Sequence, residues 1–167
     1  MTFKTTMAII GAASHTGAAI AKSMAASYHL LLMDSTEQNL IELHKAIMED
    51  KDDAAIDTLL CCKEASWEAD AIVVAVDGVQ LTSVAQKIKE VTTCKPVIHF
   101  TTDGCEAGVL QQMLPHANVV NVWLSRSVNA TGSINDAIVQ GTNVEALEVA
   151  RTILLKLGCE TKTSERV

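Results

Sequence analysis

Aromatic residues are scarce in this sequence: its 167 residues include two Trp, one Tyr and two Phe, which is 3% of the chain. The core must therefore be filled by Ala, Val, Ile, Leu and Met, and hydrophobic residues make up 49% of the chain. That fraction excludes a disordered protein. An aliphatic core is typical of strands that are buried on both faces, above all in a parallel sheet covered by helices.

Other features are also missing, and each absence excludes a class of protein. No run of about 18 apolar residues occurs, so we expect no membrane span, and the apolar part of the N-terminus is too short for a signal peptide. The five cysteines form no C-x-x-C pair, which predicts free thiols in the cytoplasm and no metal site. The net charge of −7, from 13 basic and 20 acidic residues, argues against a nucleic-acid partner.

Short apolar runs alternate with helical patterns along the chain, and Gly and Pro mark their ends. The runs predict eight strands, at 7–11, 29–34, 58–62, 71–76, 96–102, 118–123, 137–142 and 159–163. The helical patterns lie at 17–26, 36–49, 66–70, 79–91, 107–114 and 144–157. Ser35 with Gln38 and Thr142 with Glu145 predict capping boxes, and Gly158 predicts a helix C-terminus.

This order of elements predicts a doubly wound, mostly parallel α/β sheet of the Rossmann type, with three layers in the order α/β/α. We expect one dinucleotide-binding domain over 1–167, with a core at 1–123 and an added strand–helix–strand at 137–163. No second, substrate-binding domain is expected.

The first predicted strand leads into a helix through a glycine-containing loop, where a dinucleotide pyrophosphate binds in such folds. Gly11 permits the tight turn, and Gly17 lets the helix pack against the strand. Free backbone N–H groups from Ser14 through Gly17, with the hydroxyl groups of Ser14 and Thr16, would hold the phosphates. The loop residues that we predict to bind the cofactor are Gly11, Ala13, Ser14, His15, Thr16 and Gly17. The alternative is a tight turn without a ligand.

Asp34 ends the second predicted strand, 17 residues after Gly17. An acidic side chain there accepts hydrogen bonds from both adenosine ribose hydroxyls and repels a 2′-phosphate. No Arg or Lys follows at 35–38 to hold such a phosphate, so the sequence favours NAD over NADP. Ser35 completes this part of the predicted site. The alternative role for Asp34 is a helix N-cap.

Together, the loop at 11–17, Asp34 and the strands AIVVAV, PVIHFTT and NVVNVW resemble a known family. They look like the NAD(P)-binding domain of the deazaflavin (coenzyme F(420))-dependent NADP oxidoreductases. The wider group includes pyrroline-carboxylate reductase-like and 3-hydroxyacid dehydrogenase-like proteins. The resemblance implies that the loops after the fourth and fifth strands pass the nicotinamide. The corresponding residues here are Val76, Asp77, Gly78, Thr101 and Thr102.

The end of the sixth predicted strand adds a candidate substrate pocket formed by Trp123, Ser125 and Arg126. Arg126 could hold an acidic substrate or a cofactor phosphate, although a solvated loop cation is the plainer interpretation. His99 is expected to be a buried sheet residue rather than a proton donor. His15 is better placed as a proton donor, beside the phosphates, and the alternative is a loop side chain that faces solvent. No catalytic residue is assigned. The Tyr-x-x-x-Lys dyad of short-chain dehydrogenases is missing, because Tyr28 is followed four residues later by Leu32.

The sequence therefore predicts an NAD(P)-dependent oxidoreductase that transfers hydride between nicotinamide and a second redox cofactor, such as a deazaflavin or flavin, or a small substrate. Two alternatives stay open: a non-catalytic NAD(P)-binding sensor or regulatory protein, and a Rossmann-like domain that no longer binds dinucleotide. The expected partners are small molecules, with a homodimer left open.

Overall fold

The computed structural model describes residues 5–76, 78–101, 108–124 and 136–163. The strands in these ranges are β1 (Thr6–Ile10), β2 (His29–Met33), β3 (Ile56–Leu59), β4 (Ala71–Val74), β5 (Pro96–Thr101), β6 (Asn118–Leu124), β7 (Asp136–Gln140) and β8 (Glu160–Thr163). The α-helices are α1 (His15–Met24), α2 (Glu37–Asp50), α3 (Cys62–Glu68), α4 (Gly78–Ile88), α5 (Val109–Met113) and α6 (Val144–Leu157). None of these helices is long and apolar enough to cross a membrane.

All eight strands pair in one sheet, in the order β3-β2-β1-β4-β5-β6-β7-β8. The first six strands are parallel to one another, β7 is antiparallel to β6, and β8 is parallel to β7. The chain winds outward from β1 to β3, then returns to place β4 on the other side of β1. This confirms the predicted doubly wound, mostly parallel fold, and it places the switch point between β1 and β4.

The aliphatic core lies on both faces of this sheet. Met7 and Ile9 of β1 belong to the cluster formed with α1, α2 and α6, whereas Ala8 and Ile10 face α3, α4 and α5. All four side chains are fully buried or nearly so. The alternation follows from the two-residue period of a strand. The three layers predicted from the order of elements are confirmed.

The third strand and the following helix differ from the prediction. The strand ends at Leu59, and Cys62 is the first residue of α3 rather than the last residue of a strand. Cys62, Ala65 and Ser66 are buried on one face of this helix, with the spacing of one helical turn. The helical turn predicted at 66–70 therefore overlaps only the last three residues of α3, which begins four residues earlier and ends at Glu68.

The predicted capping box at the start of α2 is wrong. The N-cap of α2 is Thr36, and its side chain makes no capping hydrogen bond. The carboxylate of Asp34 takes over part of this role, because its Oδ1 accepts a hydrogen bond from the Thr36 N–H at 3.2 Å. Ser35 lies between the two residues and makes no cap.

The predicted capping box at the start of α6 is also wrong, since the N-cap is Asn143 and not Thr142. The Asn143 Oδ1 accepts a hydrogen bond from the Ala146 N–H at 2.9 Å. The other end of α6 matches the prediction, because Gly158 ends the helix in the left-handed region at φ +75°.

Replacing Asn143 with Ala should lower the free energy of unfolding by about 1 kcal/mol, because the Ala146 N–H loses its acceptor. The melting temperature should fall by about 2–4 °C. Thr142→Ala is the matched control and should change the free energy of unfolding by less than about 0.5 kcal/mol. A larger loss for Thr142→Ala in chemical denaturation would reinstate the original prediction.

Candidate functional site

A cavity of about 480 Å³ opens at the carboxyl ends of the central strands. Its walls include Ile10, Met33, Ala75, Thr101 and Leu124, which lie at or just beyond the ends of β1, β2, β4, β5 and β6. This is the edge at which ligands bind in doubly wound sheets, and it includes the switch point between β1 and β4.

Two glycines allow the loop after β1 to approach its neighbours closely. Gly11 has φ +81°, and a Cβ atom there would lie 2.7 Å from both the Ala75 carbonyl oxygen and the Val76 Cγ1. A Cβ atom on Gly17 would collide with the Gly11 carbonyl group. The turn therefore packs against β4 on one side and against α1 on the other, and neither position has room for a side chain.

Ser14 is the N-cap of α1 and occupies part of the predicted phosphate-binding backbone. Its Oγ accepts a hydrogen bond from the Gly17 N–H at 3.0 Å and donates one to the Gly11 carbonyl at 2.7 Å. The Ser14 N–H also donates to the Gly11 carbonyl. The expectation of four free N–H groups is therefore corrected to two: within the described residues, those of His15 and Thr16 have no partner.

The Asp34 carboxylate joins the end of β2 to this loop. Its Oδ2 accepts a hydrogen bond from the Ala13 N–H at 3.0 Å, and its Oδ1 accepts the one from Thr36. The side chain is half-buried and lines the cavity. Because each carboxylate oxygen can accept more than one hydrogen bond, Asp34 retains acceptor capacity toward the cavity.

Nine of the sequence-predicted residues line this cavity: Gly11, Ala13, Ser14, His15, Thr16, Asp34, Ser35, Val76 and Thr101. Gly17 packs beneath the loop instead, and Gly78 begins α4 at φ +57°. Trp123 lies on β6 and does not line the cavity; its buried Nε1 has no partner within the described residues. The predicted residues Asp77, Thr102, Ser125 and Arg126 lie outside the described ranges.

Sequence reasoning missed the polar side chains that three helices contribute to the cavity. These are Asn39 of α2, Cys62 of α3, and Gln80, Ser83 and Lys87 of α4. The α4 residues recur every three or four positions, beside the buried stripe of the same helix. The spacing of these polar residues could have been found in the sequence, but only the fold shows that they line the same cavity as the glycine loop.

The two ends of the cavity differ in polarity. Beside Asp34, the wall carries the polar residues Ser35 and Asn39, whereas the ends of β4, β5 and β6 contribute Ala75, Val76, Phe100, Thr101 and Leu124. No acid or base of the described residues lines this second end. His99 is fully buried within the sheet, with its Nδ1 3.3 Å from the Asn121 Oδ1, as expected of a sheet histidine. The described residues also contain no group of three or more side chains that could hold a metal ion.

Cys62 should be a poorly reactive thiol although it lines the cavity. Burial raises the pKa of its thiol, and the positive charge of Lys87 lowers it by a smaller amount. Because the thiolate is the nucleophile, iodoacetamide should modify Cys62 severalfold more slowly than the exposed Cys61 near neutral pH. Peptide mapping by mass spectrometry can measure both rates. In the unfolded protein the two rates should be similar; equal rates in the folded protein would contradict the burial of Cys62.

No protein-family model matches the sequence, and no match to a curated protein is significant. Solved structures do match. The structure of prephenate dehydrogenase from A. aeolicus, in complex with hydroxyphenyl propionate and NAD⁺, superposes with a TM-score of 0.75 at 11% identity. The match covers 98% of this chain and 60% of that one.

Two further structures show the same likeness. A protein assigned as a coenzyme F(420)-dependent NADP reductase, from an Arthrobacter species, has a TM-score of 0.69 at 14% identity, over 95% of this chain and 83% of that one. Plasmodium falciparum pyrroline carboxylate reductase, with NADP bound, has a TM-score of 0.68 at 16% identity, and the match covers 97% of this chain and 58% of that one. This chain has the Rossmann-like α/β fold that these structures share. The predicted resemblance is thus confirmed at the level of the fold.

Proposed function

We propose that this Rossmann domain binds a nicotinamide dinucleotide, NAD(H) in preference to NADP(H), and that it is an oxidoreductase. One observation supports this most strongly. The glycine loop and the acid that ends β2 meet at one cavity, joined by the hydrogen bond from the Ala13 N–H to the Asp34 Oδ2 at 3.0 Å. Each oxygen of the half-buried carboxylate accepts one hydrogen bond from the backbone, so its remaining lone pairs stay available to a ligand in the cavity.

The start of α1 fits a pyrophosphate. The N–H groups of His15 and Thr16 have no partner within the described residues, and they lie at the positive end of a ten-residue helix. The small residues Gly11 and Ala13 let a ligand approach the backbone. The Ser14 hydroxyl, which already donates to the Gly11 carbonyl, fixes the loop rather than binding phosphate.

Asp34 fits an adenosine ribose. Its two hydrogen bonds from backbone N–H groups hold the carboxylate in place, and its remaining lone pairs would accept hydrogen bonds from the 2′- and 3′-hydroxyls. The same negative charge would repel a 2′-phosphate, which is the basis of the preference for NAD(H).

The apolar end of the cavity fits the nicotinamide ring, whose chemistry is to accept or supply a hydride. Val76, Phe100 and Leu124 would exclude water from the ring, and Thr101 adds one polar group there. Hydride transfer to a second redox cofactor, such as a deazaflavin or flavin, needs no acid or base from the protein. The proposed acceptor is therefore a second redox cofactor or a small substrate.

A second candidate function, a non-catalytic NAD(P)-binding sensor, is favoured by the same apolar end, because no described acid or base lines it. The chain spans 60% of the prephenate dehydrogenase and 58% of the pyrroline carboxylate reductase that it resembles. The activities of those whole proteins are therefore not assigned to this chain.

Thermal unfolding with and without ligand tests the proposed binding. NAD or NADH at about 100 times its Kd should stabilise the protein by about 2.7 kcal/mol and raise the melting temperature by roughly 5–10 °C. NADH consumption with a deazaflavin or flavin acceptor then separates the two candidates: the oxidoreductase consumes NADH, whereas the sensor binds it unchanged. If NAD, NADP and their reduced forms do not change the melting temperature, the result would favour the third alternative, a Rossmann-like domain that no longer binds dinucleotide.

A further inference from the structure

A second hollow adjoins the proposed dinucleotide cavity at the adenosine end. It has a volume of about 550 Å³ and shares Met33, Cys62 and Lys87 with the first cavity. Met33 is the residue immediately before Asp34, so the shared wall begins directly beside the proposed ribose site. Lys63 and Glu90 line the far side of the hollow.

The two lysines of this hollow differ in their partners. Lys63 Nζ lies 3.4 Å from the Glu90 Oε2, so its charge is paired. Lys87 makes no ion pair and no hydrogen bond with the described residues. Its charge nevertheless reaches the cavity wall, because it acts on the thiol of Cys62. Among the described residues, Lys87 is therefore an unpaired cation on the wall that the two cavities share with Met33, the residue before Asp34.

We propose that Lys87 is a specificity-determining residue that binds a phosphate group on the adenosine ribose and so gives this chain a measurable affinity for NADP(H). The inference rests on the proposed function, and it qualifies the preference that Asp34 sets. Asp34 repels the 2′-phosphate, whereas Lys87, on the Met33 side of it, attracts the same group. The balance of the two charges sets the ratio of the affinities for NAD(H) and NADP(H).

Lys87 would supply the positive charge that residues 35–38 lack. A phosphate in the second hollow would leave water on one side, and a lysine can follow it as a flexible point charge. Such a contact weakens as salt screens it, over a Debye length of about 10 Å at 0.1 M ionic strength. A contact to the uncharged ribose of NAD would show no such dependence.

Calorimetric titration of the whole chain with NADP and with NAD tests the proposal. Lys87→Met should weaken NADP binding about tenfold or more, because a hydrogen bond to a charged group is lost, and should change NAD binding by less than about threefold. Raising the ionic strength should weaken NADP binding by the wild type more than by Lys87→Met. Lys89→Met is the matched control. Lys89 is an exposed lysine two residues after Lys87, and it lines neither cavity, so its replacement should change neither affinity.

The same titrations in an Asp34→Asn background cover the case in which wild-type affinity for NADP is too low to measure. Asp34→Asn should strengthen NADP binding, and adding Lys87→Met should remove that gain. Three results would overturn the proposal while the binding of NAD stands. Lys87→Met could weaken the binding of NAD and NADP equally, or it could weaken neither. The third such result is that neither the wild type nor Asp34→Asn binds NADP. Failure of the wild type to bind any of the dinucleotides would instead overturn the proposed function and this inference with it.

Discussion

Replacing Gly11 with Ala should abolish dinucleotide binding and destabilise the fold. Alanine in the left-handed region costs about 1–2 kcal/mol, and its Cβ would lie 2.7 Å from the Ala75 carbonyl oxygen, so β4 or the loop must move at a further cost of about 1–3 kcal/mol. The melting temperature should fall by about 4–20 °C. The displaced loop would no longer present the N–H groups of His15 and Thr16 together, so we expect no saturable NAD binding in calorimetry.

Gly158→Ala provides a matched control for Gly11→Ala. Gly158 has nearly the same backbone conformation, at φ +75°, but a Cβ atom there would meet nothing within 4 Å. The free energy of unfolding of the control should therefore fall by only about 1–2 kcal/mol, the cost of alanine in the left-handed region. The control should bind NAD like the wild type. Wild-type binding by Gly11→Ala would show that the turn after β1 is not the phosphate-binding element.

Replacing Asp34 with Ala should weaken NAD binding by about 10–100-fold. A hydrogen bond to a charged group contributes about 1.5–3 kcal/mol, and Asp34 is expected to accept at least one from the ribose. The variant should also lower the free energy of unfolding, because the N–H groups of Ala13 and Thr36 lose their acceptor. The ratio of the affinities for NADP and NAD should rise, since the repulsion of the 2′-phosphate is gone.

Asp57→Ala separates the local role of Asp34 from a general effect of negative charge. Asp57 is an exposed acid on β3 that pairs with His29 at 2.7 Å and lines none of the cavity described above. Its removal should leave NAD affinity within about twofold of the wild type. If Asp34→Ala binds NAD as tightly as Asp57→Ala, the carboxylate does not contact the ribose.

The fold was largely predictable because most of its strands are short apolar runs with a clear end, whereas β3 and β8 are the exceptions. The run HLLLMD, for example, gives β2 and places Asp34 directly after it. Errors arose where the local signal was ambiguous. Residues 58–62 read as a strand, but the pattern of Cys62, Ala65 and Ser66 buries one face of a helix against the sheet, and packing decided the outcome. Adjacent candidate caps such as Thr142 and Asn143 differ only in a geometry that sequence does not reveal.

The candidate site was predictable only where its residues follow one another along the chain. The glycine loop and Asp34 come from known positions after β1 and β2, and the Ala13–Asp34 hydrogen bond shows that they meet. Lys87 and Gln80 come from α4, and their place in the cavity depends on how α4 packs beside α3 on one face of the sheet. The spacing of residues could not reveal that the N–H and the hydroxyl of Ser14 both donate hydrogen bonds to the Gly11 carbonyl. The loop therefore has fewer free N–H groups than expected.

Calorimetric titration of the purified chain with NAD tests whether the cavity beside Gly11 and Asp34 binds this dinucleotide. We expect one molecule bound per chain, with a Kd between about 1 μM and 1 mM, the range in which enzymes commonly bind their substrates. We also expect Gly11→Ala to remove the binding and Gly158→Ala to keep it. A folded, cooperatively melting chain that shows no binding heat with NAD or NADH at about 1 mM would contradict the claim.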